Sequence, residues 1–464
     1  MSVITQPVVR SVNPATGEVI AEYPTSTAEQ VDAALTRART AHRALGATAL
    51  EERAELLRRI GRELASRREV LAHLITEEMG KVITEARGEI DKCVWACEYY
   101  AQNGARQLAP EPVATEWTDT YVEFPPLGVV LAIMPWNYPV WQLIRAAAPA
   151  WMAGNAVVLK HASNVTGCAL ELGRAVAQAA GELSPLEVIV APGSRVAEVI
   201  ADHRVAAVTL TGSESVGVQV AEASARHLKK SVLELGGSDA FIVLSDADLE
   251  AAVRGAISAR FLNAGQSCIA GKRFIVVEAV ADAFTEAFAA AAQALQMGDP
   301  LDERNNLGPM ARVDLRDDLD RQVRRGLEDG GRLIVGGTHP EGPGAYFTPT
   351  VVADVPPDGV LAQEETFGPA AAILRAPDEA SAIVLANRSP YGLSSSLWTA
   401  DLDRARRLAP EIEAGAVFVN TFSASDPRMP FGGIKRSGWG RELGPFGIRE
   451  FVNVQAVTIA PRAA

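Results

Sequence analysis

The sequence predicts an α/β protein built from two domains in series, each organised around a parallel sheet. The first observation is a change near residue 128, where helical patterns over residues 27–105 give way to short apolar runs. Ala-rich helical stretches separate these runs, and the same alternation starts again after Glu234. Strands that alternate with helices form βαβ units, and such units give parallel sheets.

The elements follow in chain order. The stretches TAEQ at 27–30 and TALE at 48–51 have capping-box spacing and predict two helix starts. Predicted strands of the first domain are VVLAIM, AVVLK, LEVIV, VAAVTL and SVLEL, with helices at 165–180 and 214–226. Predicted strands of the second domain are AFIVL, RFIVV, RLIVGG, AAAIL, SSSLW and AVFVN. The stretch TDTYVEFPPLG at 118–128 alternates polar and apolar residues around two prolines and predicts a protruding hairpin.

Composition narrows the class of protein. The chain has 464 residues, 48% of them hydrophobic and 22% charged, which is typical of a soluble globular protein of about three domains. The net charge of −13 and the lack of a Lys/Arg run argue against a nucleic-acid partner. The first 20 residues lack the apolar stretch of a signal peptide, and prolines interrupt the long uncharged run at 127–144. We therefore expect a cytoplasmic protein with no membrane partner.

The chain has four cysteines, too few and too scattered for a disulfide framework. Cys93 and Cys97 lie four residues apart on a predicted helix face with no His nearby, which favours packing over a metal site. Cys268, in FLNAGQSC, could be a buried filler, half of a disulfide, a metal ligand or a nucleophile. A nucleophilic cysteine needs an activated thiolate, a base and donors for the oxyanion that its attack creates.

Three other segments could supply those parts. Asn137, in MPWNYP, follows a predicted strand where a helix starts, and Glu234, in LELGG, ends a predicted strand. The stretch GSESVG at 212–217 lies between a strand and a helix, a natural place for a pyrophosphate. Each signal is weak alone, because Asn137 could cap the helix and Glu234 could be a solvated carboxylate. GSESVG is neither a G-x-G-x-x-G fingerprint nor a P-loop.

Taken together, the motifs PWNYP, VVLK, TGSESVG, LELGG, NAGQSC, EETFGP and PFGGIKRSGWGRE resemble the aldehyde dehydrogenase superfamily over nearly the whole chain. The resemblance implies an aldehyde dehydrogenase-like α/β fold, with two doubly wound parallel domains and a small β oligomerisation element. It also implies a division into an N-terminal part of the cofactor-binding domain (1–114), an oligomerisation hairpin (115–131), a Rossmann-like part (132–234), a catalytic domain (235–442) and an oligomerisation tail (443–464).

The resemblance assigns the chemistry to particular residues. Cys268 would attack an aldehyde to give a thiohemiacetal, whose alkoxide sits against the Asn137 amide and the Cys268 backbone N–H. Hydride transfer to a nicotinamide would leave a thioester, and Glu234 would activate the water that hydrolyses it. Glu442, in GRE, would help to order that water. Amide donors suit an oxyanion because they never ionise.

The resemblance also implies a dinucleotide cofactor. Lys160 would hold the adenosine ribose, Ser213 the pyrophosphate, and Glu365 and Phe367 the nicotinamide half. The full predicted cofactor set is Trp136, Lys160, Ser163, Gly212, Ser213, Gly217, Leu235, Gly236, Glu365 and Phe367.

Ser163, in KHASN, stands where many NAD-preferring relatives have a Glu. A serine does not repel a 2′-phosphate, and Lys160 and His161 could attract one. NADP is therefore an expected cofactor, and the sequence leaves NAD open.

Arg145 carries the substrate prediction. It is the only charge between Glu123 and Lys160, and a charge in an apolar helix needs a partner or water. In succinate-semialdehyde dehydrogenases an arginine at this place binds the substrate carboxylate, where relatives acting on uncharged aldehydes often have an aromatic residue. A guanidinium matches a carboxylate with two parallel hydrogen bonds. The alternative is an internal ion pair with an unidentified Asp or Glu.

The loop NTFSASDPRMPFGG at 420–433 supports the same interpretation, because it resembles the anchor loop of bacterial succinate-semialdehyde dehydrogenases. There a serine joins the arginine, and Ser425 is the candidate here. Leu262 stands where some members have a second arginine, which predicts looser binding of a dicarboxylic semialdehyde and room for other aldehydes.

The predicted function is therefore NAD(P)-dependent oxidation of an aldehyde, with succinate semialdehyde first among the substrates. Alternatives are an enzyme for uncharged or aromatic aldehydes with Arg145 paired internally, a CoA-acylating relative, and a non-catalytic protein with this fold. A CoA-acylating enzyme needs no hydrolytic base, and a non-catalytic protein would be free to lose Cys268, Glu234 or Asn137. We also expect a homodimer or homotetramer, with the hairpin and the tail at 451–461 pairing strands across subunits.

Overall fold

A computed structural model describes residues 7–182 and 184–460. Two large sheets, of six and seven strands, have helices packed on their faces, and three small sheets complete the fold. This confirms the predicted α/β class. The predicted segment 1–114 begins outside the described residues, and the predicted segment 443–464 ends outside them. The last residue of the tail strand predicted at 451–461 also lies outside them. Within the described ranges, no helix combines the length and the apolar character needed to cross a membrane.

The N-terminal region is a hairpin followed by helices. Its elements are β1 (Val8–Val12), β2 (Val19–Pro24), α1 (Ala28–Gly46), α2 (Leu50–Ser66), α3 (Arg68–Met79) and α4 (Ile83–Gln107). The capping box at Thr27 is confirmed, because its hydroxyl accepts from the Gln30 N–H at 3.2 Å and the Gln30 side chain accepts in return at 2.8 Å. The predicted box at Thr48 is wrong by one residue. Glu52 accepts from the Ala49 N–H at 3.2 Å, while the Thr48 hydroxyl bonds back to the last turn of α1.

Helix α4 is the longest helix of this region and packs against α2, α3 and α5 (Trp141–Met152). Cys93 and Cys97 are fully buried in the core between these helices, as the packing interpretation predicts. One face of α4 therefore belongs to the core. Another face lies close to the start of α5, and this second face becomes important at the site.

The first large sheet contains five parallel strands. The chain through this region forms β3 (Glu111–Pro112), β4 (Asp119–Glu123), β5 (Val129–Met134), α5, β6 (Ala156–His161), α6 (Thr166–Ala180), β7 (Leu186–Ile189), α7 (Val196–Ala201), β8 (Val205–Thr211), α8 (Glu214–Arg226) and β9 (Lys230–Glu234). The parallel strands lie in the order β9-β8-β5-β6-β7. The chain builds outward from β5 in one direction and then in the other, so β5 and β8 flank the switch point where such sheets hold ligands.

The second large sheet follows after only four residues, 235–238. Its elements are β10 (Asp239–Val243), α9 (Leu249–Phe261), β11 (Gly271–Val277), α10 (Glu278–Gln293), α11 (Val313–Glu328), β12 (Arg332–Val335), β13 (Thr350–Ala353), α12 (Val360–Gln363), β14 (Ala370–Ala376), α13 (Glu379–Asn387), β15 (Tyr391–Gly392), β16 (Ser394–Trp398), α14 (Leu402–Leu408) and β17 (Ala416–Val419). The order is β12-β13-β14-β11-β10-β16-β17, and all pairs are parallel except β12 with β13. The short 235–238 link brings the carboxyl ends of the first sheet towards the amino ends of the second.

The last segment of the chain returns to the first sheet. It forms β18 (Ile434–Lys435), β19 (Gly438–Trp439), α15 (Gly444–Gly447) and β20 (Gln455–Ile459). Strand β19 pairs antiparallel with β9, directly opposite Glu234 and Leu233. This return brings the GRE motif, and Glu442 within it, beside the strand that ends at Glu234.

The predicted hairpin at 118–128 is wrong in its pairing. Strand β4 pairs with β3 on one side and with β20 on the other, and all three belong to one chain. Pro125 and Pro126 have no N–H to donate to a ladder, so the chain beyond β4 does not fold back on it. The predicted hairpin segment and tail therefore pair with each other, and an oligomer built on them stays a prediction.

Candidate active site

The segment that carries Cys268 begins with an uncommon backbone. Asn263, Ala264 and Gly265 have φ values of 54°, 50° and 72°, three left-handed residues in succession. This conformation costs roughly 1 kcal/mol or more for each non-glycine residue, so the surrounding packing must hold it. A Cβ on Gly265 would lie 2.3 Å from the Gly368 carbonyl oxygen, so only glycine fits there. The NAGQSC segment is thereby packed closely onto the EETFGP segment.

Arg260 also holds the NAGQSC segment against the EETFGP segment. It is fully buried, and its guanidinium donates to the Gly265 carbonyl at 2.9 Å and to the Thr366 carbonyl at 3.2 Å. It also bonds the Gly368 carbonyl. The nucleophile segment is therefore held rigidly, and sequence reasoning missed the residue that holds it.

Asn137 lies against this segment. Its Nδ2 donates to the Gln266 carbonyl at 3.1 Å, and the side chain of Asn263 donates to the Asn137 carbonyl at 2.8 Å. Asn137 is 4% exposed. Its amide thus sits beside the backbone two residues before Cys268, and Asn137 itself lies three residues beyond the end of β5. The described contacts use one of the two N–H groups of that amide, which leaves the other for an oxyanion.

Cys268, Arg145 and Ser425 line one cavity of about 270 Å³. Its wall includes the aromatic side chains of Tyr138, Trp141, Phe422 and Phe431. Asn137 and Glu234 do not line this cavity. The structure therefore brings the predicted nucleophile and both predicted substrate residues to one space. Asn137 contacts the backbone of Gln266, and Glu234 is close enough to Cys268 to raise its pKa.

The Cys268 thiol is protonated at rest. Burial raises its pKa to about 12, against the opposing effects of Arg145 and Lys272, and Glu234 raises it further. Lys272 donates to the Cys268 carbonyl at 2.7 Å, which places its charge beside the nucleophile. A base must therefore remove the thiol proton when the cysteine acts.

Glu234 is a second buried ionisable group of the site. It is 1% exposed, and neither side-chain oxygen has a hydrogen-bond partner among the described residues. Burial raises the pKa of Glu234 well above its ordinary value, Arg145 opposes the shift, and Glu442 adds to it. A Cβ on Gly432 would lie 2.7 Å from its Oε1, so that glycine leaves room for the carboxyl group.

Arg145 forms an ion pair with Glu442, and both side chains are 2% exposed. Its Nη2 donates to the Thr211 hydroxyl at 3.2 Å, and the Thr209 hydroxyl donates to Glu442 at 3.3 Å. The guanidinium carbon lies 4.5 Å from the centre of the Phe431 ring. The internal ion pair, which the sequence left as an alternative, is therefore present, and Glu442 is the partner of Arg145. Arg145 also lines the cavity.

Ser425 contacts a different cation from the one expected. Its hydroxyl accepts from Lys92 Nζ at 2.7 Å, and the described contacts join Ser425 to Lys92 rather than to Arg145. Lys92 lines the cavity together with Glu85 and Glu89 of the same helix. The sequence pattern that could have identified Lys92 is the spacing of residues 85, 89 and 92, because it places three charged residues on one face of a helix.

The predicted ribose and phosphate residues lie at the carboxyl ends of the first sheet. Lys160 is half-buried at the end of β6, and in the described part of the chain no carboxylate lies within ion-pair distance of it. Ser163 is exposed just beyond that strand. Gly212 and Ser213 connect β8 to α8, with Ser213 as the N-cap of that helix. Lys160 and the N-terminus of α8 lie at the same edge of the first sheet. An unpaired lysine and a helix N-terminus placed in this way suit a diphosphate and its ribose.

His161 does not contribute a positive charge, which corrects the suggestion that it could attract a phosphate. It is buried, its Nε2 donates to the Pro139 carbonyl at 2.8 Å, and its Nδ1 accepts from the Ala162 N–H at 2.9 Å. Burial lowers the pKa of His161 to about 4, so the ring is neutral at physiological pH. Any attraction for a 2′-phosphate here falls to Lys160.

Two of the predicted cofactor glycines act through close packing. A Cβ on Gly217 would lie 2.6 Å from the side chain of Leu235, so this glycine lets α8 pack against Leu235. A Cβ on Gly236 would lie 2.3 Å from Glu365, whose carboxylate accepts from the neighbouring Gly237 N–H at 2.9 Å.

Two aromatic residues of the predicted cofactor set lie together. Trp136 and Phe367 meet edge to face with ring centres 5.7 Å apart. Phe367, predicted to hold the nicotinamide half, thus packs against a residue that follows strand β5 of the first sheet.

A doubly wound sheet with polar residues at the carboxyl ends of its strands, beside a half-buried cysteine and a buried carboxyl group, fits a dinucleotide-dependent enzyme. The aldehyde dehydrogenase family model matches residues 4–457. The succinate semialdehyde dehydrogenase (NAD(P)+) Sad of Escherichia coli (strain K12) is 48% identical over 447 residues, covering 96% of this chain and 97% of the relative. The chain therefore belongs to the aldehyde dehydrogenase family, as the motifs predict.

Two further similarities extend over almost the whole chain. A probable succinate-semialdehyde dehydrogenase (NADP+) of Synechocystis sp. is 44% identical over 452 residues, covering 97% of this chain and all of the relative. The crystal structure of succinic semialdehyde dehydrogenase from Streptococcus pyogenes, in complex with NADP+, superposes with a TM-score of 0.95 at 36% identity. That superposition covers 98% of this chain and 100% of the other.

Proposed function

We propose that this protein oxidises succinate semialdehyde to succinate with NADP or NAD, and that Cys268 is its nucleophile. The observation that carries the proposal is the shared cavity, which places a guanidinium and the cysteine around one space of about 270 Å³. A semialdehyde with a remote carboxylate needs those two groups at once. The relatives named above, at 48% and 44% identity, support the same substrate class.

The reaction follows from the side chains. Cys268, which is partly exposed, gives its thiol proton to solvent water and attacks the aldehyde carbon, forming a C–S bond while the carbonyl oxygen becomes an alkoxide. The Asn137 Nδ2 and the Cys268 backbone N–H stabilise that oxyanion. When bound, the nicotinamide supplies the hydride acceptor for the tetrahedral carbon. Glu234 then takes a proton from water, whose oxygen attacks the resulting thioester, and the Cys268 sulfur leaves.

Burial of Glu234 suits this role. Because its pKa is raised, Glu234 binds the proton that it takes from water more strongly than an exposed glutamate would. The Arg145–Glu442 ion pair leaves Glu234 as the unpaired acid of the cluster. Glu442 positions Arg145 rather than contacting the reacting atoms directly.

The first sheet supplies the residues for the cofactor. Lys160 would bond the adenosine ribose, Ser213 and the turn at Gly212 would hold the pyrophosphate, and Glu365 would hold the nicotinamide ribose. The exposed Ser163 would lie beside the 2′ position. A neutral side chain there admits NADP as well as NAD.

We expect a glutamate at position 163 to make the enzyme discriminate against NADP. Ser163→Glu places a carboxylate beside the 2′-phosphate, and like charges in contact cost several kcal/mol, so kcat/KM should fall by about 2 to 3 kcal/mol more with NADP than with NAD. Ser163→Gln, of equal size and no charge, is the matched control. An unchanged NADP/NAD ratio in Ser163→Glu would show that the phosphate is recognised elsewhere.

Removing the guanidinium should separate charged from uncharged substrates. Arg145→Ala is expected to reduce kcat/KM for succinate semialdehyde by roughly 2 to 4 kcal/mol and to affect butanal little, because butanal has no carboxylate. The melting temperature should also fall, since the variant leaves Glu442 buried without its ion-pair partner. The ratio of kcat/KM for the two aldehydes does not depend on that loss of stability, because unfolding lowers both values alike. Equal losses for both aldehydes would contradict a substrate role for Arg145.

A second candidate function rests on the same ion pair. Because Glu442 and Thr211 already engage Arg145, the protein could instead oxidise uncharged or aromatic aldehydes against the aromatic side chains of the cavity wall. A steady-state assay of the wild-type protein decides between them. With NADP and NAD, the proposed function predicts a higher kcat/KM for succinate semialdehyde than for butanal or benzaldehyde, and the alternative predicts the reverse.

We further propose that the enzyme is a cytoplasmic homo-oligomer. The small sheet of β3, β4 and β20 stands apart from both large sheets and has free edges at β3 and β20 among the described strands. Such edges are suited to pairing with a second copy. Size-exclusion chromatography with light scattering would distinguish a monomer from a dimer or a tetramer.

A further inference from the structure

Lys92 is a cation that no sequence motif pointed to. It lies on α4 and lines the cavity that holds Cys268 and Arg145. Its Nζ donates to the Ser425 hydroxyl at 2.7 Å and lies 4.4 Å from the centre of the Trp141 ring. An ammonium has three donors, and Ser425 accepts one of them.

The charge of Lys92 is not neutralised by an ion pair. Within residues 7–182 and 184–460, no carboxylate oxygen lies within 4.0 Å of its Nζ. The neighbouring charges are engaged elsewhere, because Lys81 pairs with Glu89 and Arg145 pairs with Glu442. Lys92 is half-buried, and burying a cation without a counter-ion costs stability. Such a group is expected to have a partner that the chain itself does not provide.

The cavity has one obvious deficit for a dicarboxylic semialdehyde. Leu262 lines it where a second cation would otherwise strengthen carboxylate binding, and two of the donors of Arg145 are committed to Glu442 and Thr211. Lys92 lies on the same cavity with donors to spare. We propose that Lys92 is a specificity-determining residue that binds the remote carboxylate of the substrate, with Ser425 and Trp141 positioning its ammonium. This inference rests on the proposed substrate.

The inference implies a dependence on pH. Burial and the nearby Arg145 lower the pKa of Lys92 to about 8, so its charge is present below that pH and is lost above it. Glu85, on the same helix, also faces the cavity, and burial raises its pKa to about 7. Glu89 and Cys93 face Lys92 from its own helix, and Asp426, held by Arg428, faces it from the loop.

The test measures kcat and KM for succinate semialdehyde and for butanal in three variants. Lys92→Met replaces the lysine by an apolar side chain of similar length, and Lys92→Arg keeps the charge. Arg106→Met is the matched control, because it removes an exposed charge from the same helix at a position that does not line the cavity.

Lys92→Met is expected to raise KM for succinate semialdehyde about 10-fold to 100-fold, the range for one charged hydrogen bond, with kcat nearly unchanged. Butanal should be unaffected, and Lys92→Arg should restore most of the loss. The melting temperature should not fall, because an unpaired buried charge is replaced by an apolar group. A role in stability alone predicts a lower melting temperature and equal losses for both aldehydes, and that result would overturn the inference.

The wild-type protein gives an independent readout. Its preference for succinate semialdehyde over butanal should decline as the pH rises through about 8, while Lys92→Arg should keep the preference and retain only the change caused by Glu85. Ionisation of Cys268 affects both substrates and cancels in the ratio. Identical pH profiles in the two proteins would contradict the inference.

The two proposals fail in different ways. If the wild-type protein shows no preference for succinate semialdehyde, the proposed substrate is wrong before any variant is made. If the preference exists and survives unchanged in Lys92→Met, the proposed substrate stands and only the role of Lys92 is wrong.

Discussion

Replacing Cys268 by alanine is expected to abolish aldehyde oxidation while NADP and NAD still bind. The thiol makes the aldehyde carbon tetrahedral, and without that step hydride transfer has no favourable path, so turnover should fall by at least about 10⁴-fold. The substitution removes one sulfur atom from a segment that Arg260 and Asn137 hold through backbone carbonyls. The segment should therefore keep its shape, and the cofactor crevice on the first sheet should be intact.

Cys168→Ala is the matched control for that variant. Cys168 is fully buried in α6 and lines no part of the cavity, so its loss should lower stability slightly and leave kcat unchanged. Cofactor affinity is measured by fluorescence titration, and turnover by NADPH formation. Substantial turnover in purified Cys268→Ala would refute the assignment of the nucleophile.

Glu234→Gln should separate the two halves of the reaction. An amide of the same shape cannot accept a proton from water, so thioester hydrolysis is expected to slow about 10²-fold to 10⁴-fold, the usual range for a general base. Hydride transfer precedes that step and should be affected less. The side chain is buried against Gly432 and makes no hydrogen bond to the residues that the structure describes, so glutamine fits the same space.

Stopped-flow absorbance is the measurement for this variant. The expected trace is a burst of NADPH close to one per active site, followed by slow turnover. Glu286→Gln removes an exposed carboxylate on α10 and should behave as wild type. Wild-type steady-state turnover in Glu234→Gln would rule out its role as the base.

Much of the fold was predictable because local patterns and topology agree. The strands from VVLAIM to AVFVN occur in the sheets close to where their apolar runs predict them, since parallel strands covered on both faces are continuously apolar. The direction of β12 was not predictable, because an edge strand carries no signal for parallel or antiparallel pairing. The pairing of β4 with β20 depends on residues more than 300 positions apart, which no local pattern encodes.

Some residues of the site could also be predicted from the sequence, and others could not. Cys268, Asn137 and Glu234 could be named because each belongs to a motif, and the structure places Asn137 and Glu234 around the segment of Cys268. The partner of Arg145 could not be named, since Glu442 reaches it only through the return of the chain to β9. Lys92 was missed because helix α4 comes far earlier in the chain than any motif of the site. His161 was misjudged because its burial depends on packing against Pro139.

Mass spectrometry of the trapped intermediate tests the central claim most directly. Glu234→Gln is mixed with succinate semialdehyde and NADP, quenched in acid within the burst, and digested to peptides. We expect one succinyl group, as a thioester, on the peptide that contains Cys268, and none on the peptides of Cys93, Cys97 or Cys168. An unmodified Cys268 peptide after a full burst of NADPH, or the adduct on another cysteine, would contradict that claim.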